Sequence, residues 1–471
     1  MAGVSERVYF RSPVWIQQIA VSVYGWWWYH RRMSDHFYWL FAEYQSREYW
    51  TSEQFRADQE KRLMQLLQTA NCSPYYQSIF KDVIVDWQHP AFEILASLPL
   101  LSKETLRTRA RDLLTQKHLP KGTTIFKSSG TTGTPTEIYY TPEFHALELA
   151  IPAARNLAWA GVSYHSRRVM LGVRKVCHFN QANPPFWRFS LAEDMAYASV
   201  YHLSPKNIPV YLAFLRNYRP AMIMGYPSAL YALAQYALEH NDKPAPARAI
   251  FTTSETVSEL ARQTIEAAWQ CKIYDRYGAV EGCMFASQCE HGRYHVSPEV
   301  GIIEIINAQG QPCLPGEMGE VVCTGLNNFL QPLIRYRTGD VARWAKEQIC
   351  PCGRQMPILE AIDGRVEDIC ITSDGRQMLR FDTVFKGVDS IREAQVIQEH
   401  LDLFTIRVVP ADTFGEHDIN KLKENMRLHA GETRVDVQCV EQIERTSAGK
   451  FRAVICKLSQ EQKNRVLNKS L

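Results

Sequence analysis

Seven consecutive positions, Ser128, Ser129, Gly130, Thr131, Thr132, Gly133 and Thr134, hold five hydroxyls and two glycines. A loop of this make-up can turn N–H groups and hydroxyls toward one concave point, and phosphate oxygens are the usual occupants of such a nest. No Gly-Lys-Ser/Thr follows at Walker A spacing. Ser/Thr/Gly clusters are also ordinary surface loops, so the loop alone leaves both readings level. What favours phosphate is a set of segments in order downstream: Tyr277-Gly-Ala-Val-Glu281, Tyr336-Arg-Thr-Gly-Asp340, Gly364-Arg365 and Thr446-Ser-Ala-Gly-Lys450.

With the loop, these segments resemble the adenylate-forming superfamily of acyl-CoA synthetases, adenylation domains and luciferases. Gly225-Tyr-Pro-Ser228 and Cys350-Pro-Cys352-Gly-Arg354 point to its phenylacetate–CoA ligase branch, including CapK-type proteins. The resemblance runs from about Leu66 to the C-terminus. It implies ATP-dependent activation of an organic carboxylic acid to an acyl-adenylate, with pyrophosphate released; phenylacetate-type relatives take aryl acids, and CapK-type members a broader range. The acyl group then passes to the thiol of CoA or, in a second reading, to an amine. A third reading is a catalytically weak nucleotide-binding scaffold.

The resemblance also implies roles. Lys450 is the catalytic lysine, on a loop that Ala448 and Gly449 make tight, and Glu281 is the carboxylate associated with Mg²⁺. The 128–134 loop holds phosphates, and Thr253-Ser254-Glu255 walls the adenine site. Tyr277 lies against adenine, with Gly278 leaving room beside it. Asp340 binds ribose, Arg365 contacts the nucleotide, and Glu367 is the hinge. Tyr226, Ser228 and Ala279 border the acyl pocket. The chemistry suits these types: an aromatic face stacks on a base, Mg²⁺ takes one or two carboxylates with phosphate oxygens, and fixed cations stabilise charge on a reacting phosphate.

Two departures stand out. The family places Thr or Ser before the glutamate, where its hydroxyl reaches the α-phosphate; here the residue is Val280. Losing one hydrogen bond to a charged oxygen removes about 1.5–3 kcal/mol, or roughly ten- to a hundredfold in rate. The phosphate loop also lacks the lysine of many relatives, with Thr134 and Thr136 in that region.

Cys289-Glu-His291-Gly-Arg-Tyr-His295, with Cys350 and Cys352 far downstream, offers three thiolates and an imidazole, enough for a closed tetrahedral structural Zn²⁺ site. Either histidine can serve. His295 is preferred, since the longer gap from Cys289 lets a turn close on one ion; Cys283 is a reserve ligand.

The elements that must position these residues follow from periodicity. Ser52 to Thr69 has helical spacing, with Phe55, Leu63, Leu66 and Leu67 on one side. Ser102 is an N-cap. Thr123–Phe126 and Thr136–Tyr140 are strands entering and leaving the phosphate loop. A helix is expected from Glu143 to about Ala160 and another over Ala229–His240, between buried strands Ala221–Gly225 and Ala249–Thr252. This alternation argues for a mostly parallel α/β sheet. From Gly301 an antiparallel meander takes over. Beyond 363–368 lies an α+β unit of about a hundred residues. The expected organisation is an aromatic-rich helical extension (1–60), a large α/β adenylation domain with mixed sheets and helices (61–365) and a small mobile α+β C-terminal domain (366–471).

The 471 residues are 46% apolar and 22% charged, with net charge +3. Such balance gives no electrostatic case for a nucleic-acid partner. Expected partners are a small carboxylic acid and an acyl acceptor, and a homodimer is allowed. Twelve cysteines without a small secreted framework, and no signal peptide, argue for reduced thiols in a cytoplasmic protein. Six of the eleven tryptophans fall in the first fifty residues, including Trp26-Trp27-Trp28 before Tyr29-His30-Arg31-Arg32. The apolar run Val14–Trp28 is too short to span a bilayer. It suits either helices packed on the large domain, the preferred reading, or a membrane interface.

Overall fold

The computed structural model describes residues 2–127, 136–172, 174–204, 206–252, 257, 259–307, 309–363, 370–378, 381, 383–388, 390–444, 454–459, 461–462 and 465–466. Seven helices come first: α1 Ala2–Arg11, α2 Val14–Arg32, α3 Asp35–Ser46, α4 Ser52–Ala70, α5 Pro74–Val83, α6 Ala91–Ser97 and α7 Lys103–Thr108. Their starts are written in cap residues. Thr51 and Gln54 form a reciprocal capping box at α4, Ser73 caps α5 ahead of Pro74, and Ser102 accepts from the Thr105 N–H at α7. Each cap satisfies N–H groups that the first turn leaves unpaired.

Strands β1 (Thr124–Lys127) and β2 (Glu137–Tyr140) form an antiparallel hairpin, with Lys127 opposite Glu137. Helix α8 (Pro142–Pro152) follows, capped by Thr141. The helix expected to continue to Ala160 changes at Pro152. Proline has no N–H to donate, and the chain goes on as a π-helical turn, Ala153–Leu157, with the Ala158 N–H reaching Ala153 O at 2.9 Å. That turn directs Arg155 and Asn156 inward, to Glu299 and to Ser287 Oγ.

Then come β3 Arg168–Gly172, β4 Trp187–Ser190, β5 Met195–Ser199, α9 Ile208–Tyr218, β6 Met222–Gly225, α10 Pro227–Glu239, β7 Ala249–Thr252, α11 Glu259–Trp269 and β8 Lys272–Gly278. Strands β9 Phe285–Gln288, β10 Tyr294–Val296, β11 Gly301–Ile306, β12 Gly319–Gly325, β13 Tyr336–Trp344 and β14 Ile358–Asp363 complete the large unit. Among the described residues these strands make one twelve-stranded sheet, ordered β11-β12-β13-β14-β10-β9-β8-β7-β6-β3-β5-β4. The expected parallel part is present, with β5, β3, β6, β7 and β8 running parallel; what sequence did not show is that the meander joins the same sheet through β8. Residues Lys272–Asp275 pair parallel to β7, and Arg276–Gly278 pair antiparallel to β9. Periodicity within a segment reports burial, not which neighbour a strand takes, so the join was invisible in sequence.

Two cores flank the sheet. Leu63, Leu66 and Leu67 of α4 pack with Val321 and Tyr336 of the antiparallel half. Leu230 and Leu233 of α10 and Trp269 of α11 pack on Ile223, Ile250 and Ile273 of the parallel half. Beyond Asp363 the C-terminal unit holds β15 Cys370–Ile371, β16 Gln377–Met378, β17 Ile391–His400, β18 Leu403–Pro410, α12 Glu416–Ala430, β19 Arg434–Cys439 and β20 Val454–Cys456. Its main sheet is ordered β19-β18-β17-β20, and α12 buries Leu422 and Met426 against it.

Candidate active site

The parallel strands end on one line. β6 stops at Gly225, just before Tyr226; β7 stops at Thr252, just before Ser254 and Glu255; β8 ends in Tyr277 and Gly278. Ligands of open α/β sheets lie outside the carboxyl ends of such strands, because loops of independent sequence converge there. Thr252 Oγ1 donates to Asp275 Oδ1 at 2.6 Å, fastening the ends of β7 and β8 together.

Past β8, the Ala279-Val280-Glu281 loop is held from two sides. Tyr140, the last residue of β2, donates its hydroxyl to Val280 O at 2.8 Å. The hairpin that flanks the Ser128–Thr134 loop is thereby fastened to the loop bearing Glu281. Tyr336 of β13 donates to Glu281 Oε1 at 3.1 Å, and Glu281 is buried. A buried carboxylate is a hard oxygen donor of the kind Mg²⁺ accepts, so this residue fits the metal. Four residues along β13, Asp340 accepts the Tyr277 hydroxyl on Oδ2 at 2.8 Å. Burial, then the Asp340 charge, push the Tyr277 phenol well above its ordinary value, so it stays a donor.

Helix α8 adds a residue that sequence reading missed. A Cβ at Gly282 would lie 3.1 Å from the Glu148 carboxyl carbon and 2.6 Å from Phe144 Cζ, and Gly282 has φ +61°. Glycine is therefore required both by conformation and by the close approach. Glu148 is half-buried at the surface of the structure yet densely surrounded, and burial raises its carboxyl to about 8. Tyr140 was missed too. In the sequence these are a helix glutamate and a strand tyrosine, and only the fold sets them beside Glu281.

Tyr226 is buried in the core on which α10 packs. Ser228 lies in the first turn of α10, and Ala279 is half-buried after β8. Ser128, Ser129, Gly130, Thr131, Thr132, Gly133, Thr134, Ser254, Glu255, Arg365, Glu367 and Lys450 lie outside the described residues. The strand after Lys450, β20, pairs parallel with β17.

A second cluster sits at the β9–β10 turn. Cys289 follows β9 and His295 lies in β10; the turn closes through Gly292, φ +74°, whose N–H reaches Cys289 O at 2.8 Å. Pairing of β10 with β14 sets His295 opposite Ile358 and brings up the loop carrying Cys350 and Cys352. Cys289 Sγ is 3.7 Å from Cys350 Sγ, and Cys352 Sγ is 3.4 Å from His295 Nε2. All four ligand atoms lie within 4.8 Å of one another. A tetrahedral site with metal–sulfur bonds of about 2.3 Å has ligand–ligand edges of about 3.8 Å, so the donor set fits Zn²⁺. His295 is the member of the set; His291 is exposed, its N–H directed to Cys289 Sγ. Cys283 is buried elsewhere, against Gly301 and Gly325. Burial and the Arg354 charge lower His295 to about 4, which keeps its imidazole neutral, while burial lifts the Cys350 thiol to about 12. A bound dication would reverse the latter by favouring thiolate. Phe55, Trp159 and Met356 pack round the cluster. Arg354 ties it to Glu48, Nη2 to Oε1 at 2.6 Å.

A family model described as AMP-binding enzyme matches residues 94–331, just over half of the chain, and one described as CapK C-terminal domain matches 370–457. The chain belongs to the AMP-binding enzyme family: it is an AMP-forming ligase that activates an acid as the acyl-adenylate. Within that class it is CapK- and phenylacetate–CoA-ligase-like. It is 24% identical to Protein CapK of Staphylococcus aureus over 95% of this chain and 98% of that protein. It is 26% identical to a phenylacetate-coenzyme A ligase of Thermus thermophilus over 68% of this chain and 72% of that one. In fold it is similar to 2-hydroxyisobutyryl-CoA ligase in complex with 2-HIB-AMP and CoA, with TM-score 0.57 and 21% identity over 90% of this chain and 93% of that one.

Proposed function

We propose that the protein activates an organic carboxylic acid, with aryl acids among the candidates, using ATP, and transfers the acyl group to the thiol of CoA. In the first half-reaction a carboxylate oxygen bonds to the α-phosphorus as the bond to the β-phosphate breaks, and pyrophosphate leaves. In the second, the thiol loses its proton and attacks the acyl carbonyl, and AMP leaves.

The observation that carries this reading is the convergence of Tyr277, Glu281 and Asp340 at the carboxyl ends of the parallel strands, beside the hairpin flanking the phosphate-type loop. In the proposal Ser128–Thr134 cradles the phosphates, while Tyr277 and the Ser254–Glu255 segment flank adenine. Asp340 accepts from the ribose hydroxyls, and Arg365 contacts the nucleotide. Lys450 bridges carboxylate and α-phosphate. Such fixed partners lower the barrier by positioning two anions and balancing their charge. Mg²⁺, held through Glu281, would neutralise phosphate charge. Tyr226, Ser228 and Ala279 border the acyl pocket. The organisation proposed is a helical extension, a large domain to 365 and a small unit 366–471, with Glu367 as the hinge about which the last unit turns between half-reactions. The expected 60/61 boundary falls inside α4, one continuous helix from Ser52 to Ala70, and is moved ahead of it.

We also propose that Cys289, His295, Cys350 and Cys352 hold a structural Zn²⁺. The ion would clamp the β13–β14 loop to the β9–β10 turn, far in role from the nucleotide chemistry.

The test is pyrophosphate release from ATP and Mg²⁺ against a panel of aryl, hydroxy-aryl and short aliphatic acids, with CoA, with amines, or with neither. Acid-dependent release with thioester formation supports the proposal. Release with amide formation and no thioester replaces the acceptor. Binding of ATP with no release for any acid points to the scaffold reading that Val280 suggests.

A further inference from the structure

Helix α2 is amphipathic the wrong way round for a surface helix. A helix on a soluble domain turns its apolar stripe inward and its polar face to water. Here the polar side chains face the protein. Gln17 Oε1 accepts from Arg188 Nε at 2.9 Å and Nη2 at 2.6 Å, and Gln18 Oε1 accepts from the Phe189 N–H at 2.6 Å. Ser22 Oγ donates to Phe189 O at 3.1 Å and accepts from the Leu191 N–H at 3.4 Å. Strand β4, which holds Arg188 and Phe189, is the edge of the twelve-stranded sheet. The polar face of α2 thus takes the place of a neighbouring strand, satisfying edge groups that would otherwise invite pairing. Gly25 permits the approach: a Cβ there would sit 1.9 Å from Ser190 Oγ.

The apolar face is left outward. Trp15 is 63% exposed, Ile19 55%, Val23 60% and Trp26 55%. These residues follow one another at spacings of four, four and three, so they form a single stripe along the helix. Val8 of α1, 62% exposed, adds to the apolar surface of this region.

The charge around the stripe identifies what would cover it. From Arg7 to Ser34 the sequence has four arginines and no Asp or Glu, although the whole chain is nearly balanced, with 53 basic and 50 acidic residues. Arg7, Arg11, His30 and Arg31 are exposed. Tryptophan beside arginine is the composition of a helix lying in the headgroup layer, where indoles bridge acyl chains and water and arginines meet lipid phosphates. Among the described residues no helix is long and apolar enough to cross a membrane. At 19 residues α2 is about 28 Å long, and the stripe from Trp15 to Trp26 covers about 17 Å of it.

We propose that α2, with α1, seats this protein on the surface of an anionic phospholipid membrane, in the plane of the interface, with Trp15, Ile19, Val23 and Trp26 in the headgroup–acyl boundary. Arg31 Nη2 donates to Gly122 O at 2.8 Å, two residues before β1, so the seated face is joined to the hairpin flanking the phosphate-type loop. This inference does not depend on the identity of the acid or of the acceptor.

The test uses the full chain and vesicles of phosphatidylcholine alone or mixed with phosphatidylglycerol, followed by flotation and tryptophan emission. Co-flotation with anionic vesicles, a blue shift on binding, and partitioning to neutral vesicles weaker by about tenfold are expected. The variant Trp15→Ser/Ile19→Ser/Val23→Ser/Trp26→Ser should lose flotation while keeping its melting temperature. A second variant, Arg7→Glu/Arg11→Glu, leaves the stripe intact and should lose the preference for anionic vesicles, which keeps the test decisive if the first variant fails to fold. Absence of flotation with either vesicle overturns the proposal, as does equal partitioning to both. A dimer in sedimentation velocity that the stripe substitutions dissociate, with no vesicle binding, would assign the face to a second copy instead.

Discussion

The hydroxyl of Tyr277 lies 2.8 Å from Asp340 Oδ2, joining the end of a parallel strand to the third strand of an antiparallel meander. Sixty-three residues separate the two. Their pairing fixes the angle of the tyrosine ring and orients the carboxylate, and both groups are drawn from the proposed nucleotide site. Asp340→Asn should therefore weaken ATP binding by about tenfold, the worth of one hydrogen bond to a charged group, with a smaller change in kcat. Tyr277→Phe should weaken it less. Titration calorimetry with ATP and steady-state pyrophosphate release separate the two effects; an unchanged Kd in Asp340→Asn would remove the ribose assignment.

Lys450 tests the chemistry apart from binding. With Lys450→Ala, acid-dependent pyrophosphate release should fall by more than about a hundredfold, since a cation at a reacting phosphate acts chiefly in the transition state. ATP affinity should hardly move. Turnover persisting in this variant would transfer the role to another residue.

Val280 stands where the family's hydroxyl would be. Val280→Thr should raise the rate of pyrophosphate release by roughly ten- to a hundredfold if the new hydroxyl reaches the α-phosphate. A rate that does not change would mean that another donor already serves that oxygen.

The thiol cluster predicts linked losses. Cys350→Ser/Cys352→Ser should strip zinc from the purified protein, by metal analysis, and lower the melting temperature by about 5 °C or more, because binding of a structural ion is coupled to folding. ATP affinity should be preserved. Wild-type protein without zinc would end the assignment.

Glu148 predicts a pH dependence. Its carboxyl is raised from 4.5 to about 8 by burial, so between these values the folded chain holds a proton that the unfolded chain has released. Stability is then fully present below 4.5 and is lost as pH rises through 8. Melting temperature should fall over that window, and Glu148→Gln, which cannot ionise, should flatten the fall. Equal slopes in the two proteins would show that the carboxyl is solvated after all.

Much was legible in the residues themselves. Caps and 3.6-residue spacing placed α4, α7 and α10, because helix starts and apolar stripes are local properties. The ordered motifs pointed to adenylate chemistry through the family they resemble, since the loop alone left a plain surface loop as good a reading. Cys289, Cys350 and Cys352, with either His291 or His295, were nameable as zinc-type ligands from their side chains alone.

Tertiary structure decided what long-range pairing decides. The switch at β8 from parallel to antiparallel partners, the choice of His295 over His291, and the placement of Glu148 beside Gly282 depend on elements far apart in the chain. So does the orientation of α2. Its sequence shows an aromatic segment broken by glutamines, but which face turns inward is set by the unpaired edge of β4. Donors and acceptors on that edge take the polar face of α2 as their partner, which leaves the helix's apolar stripe turned outward.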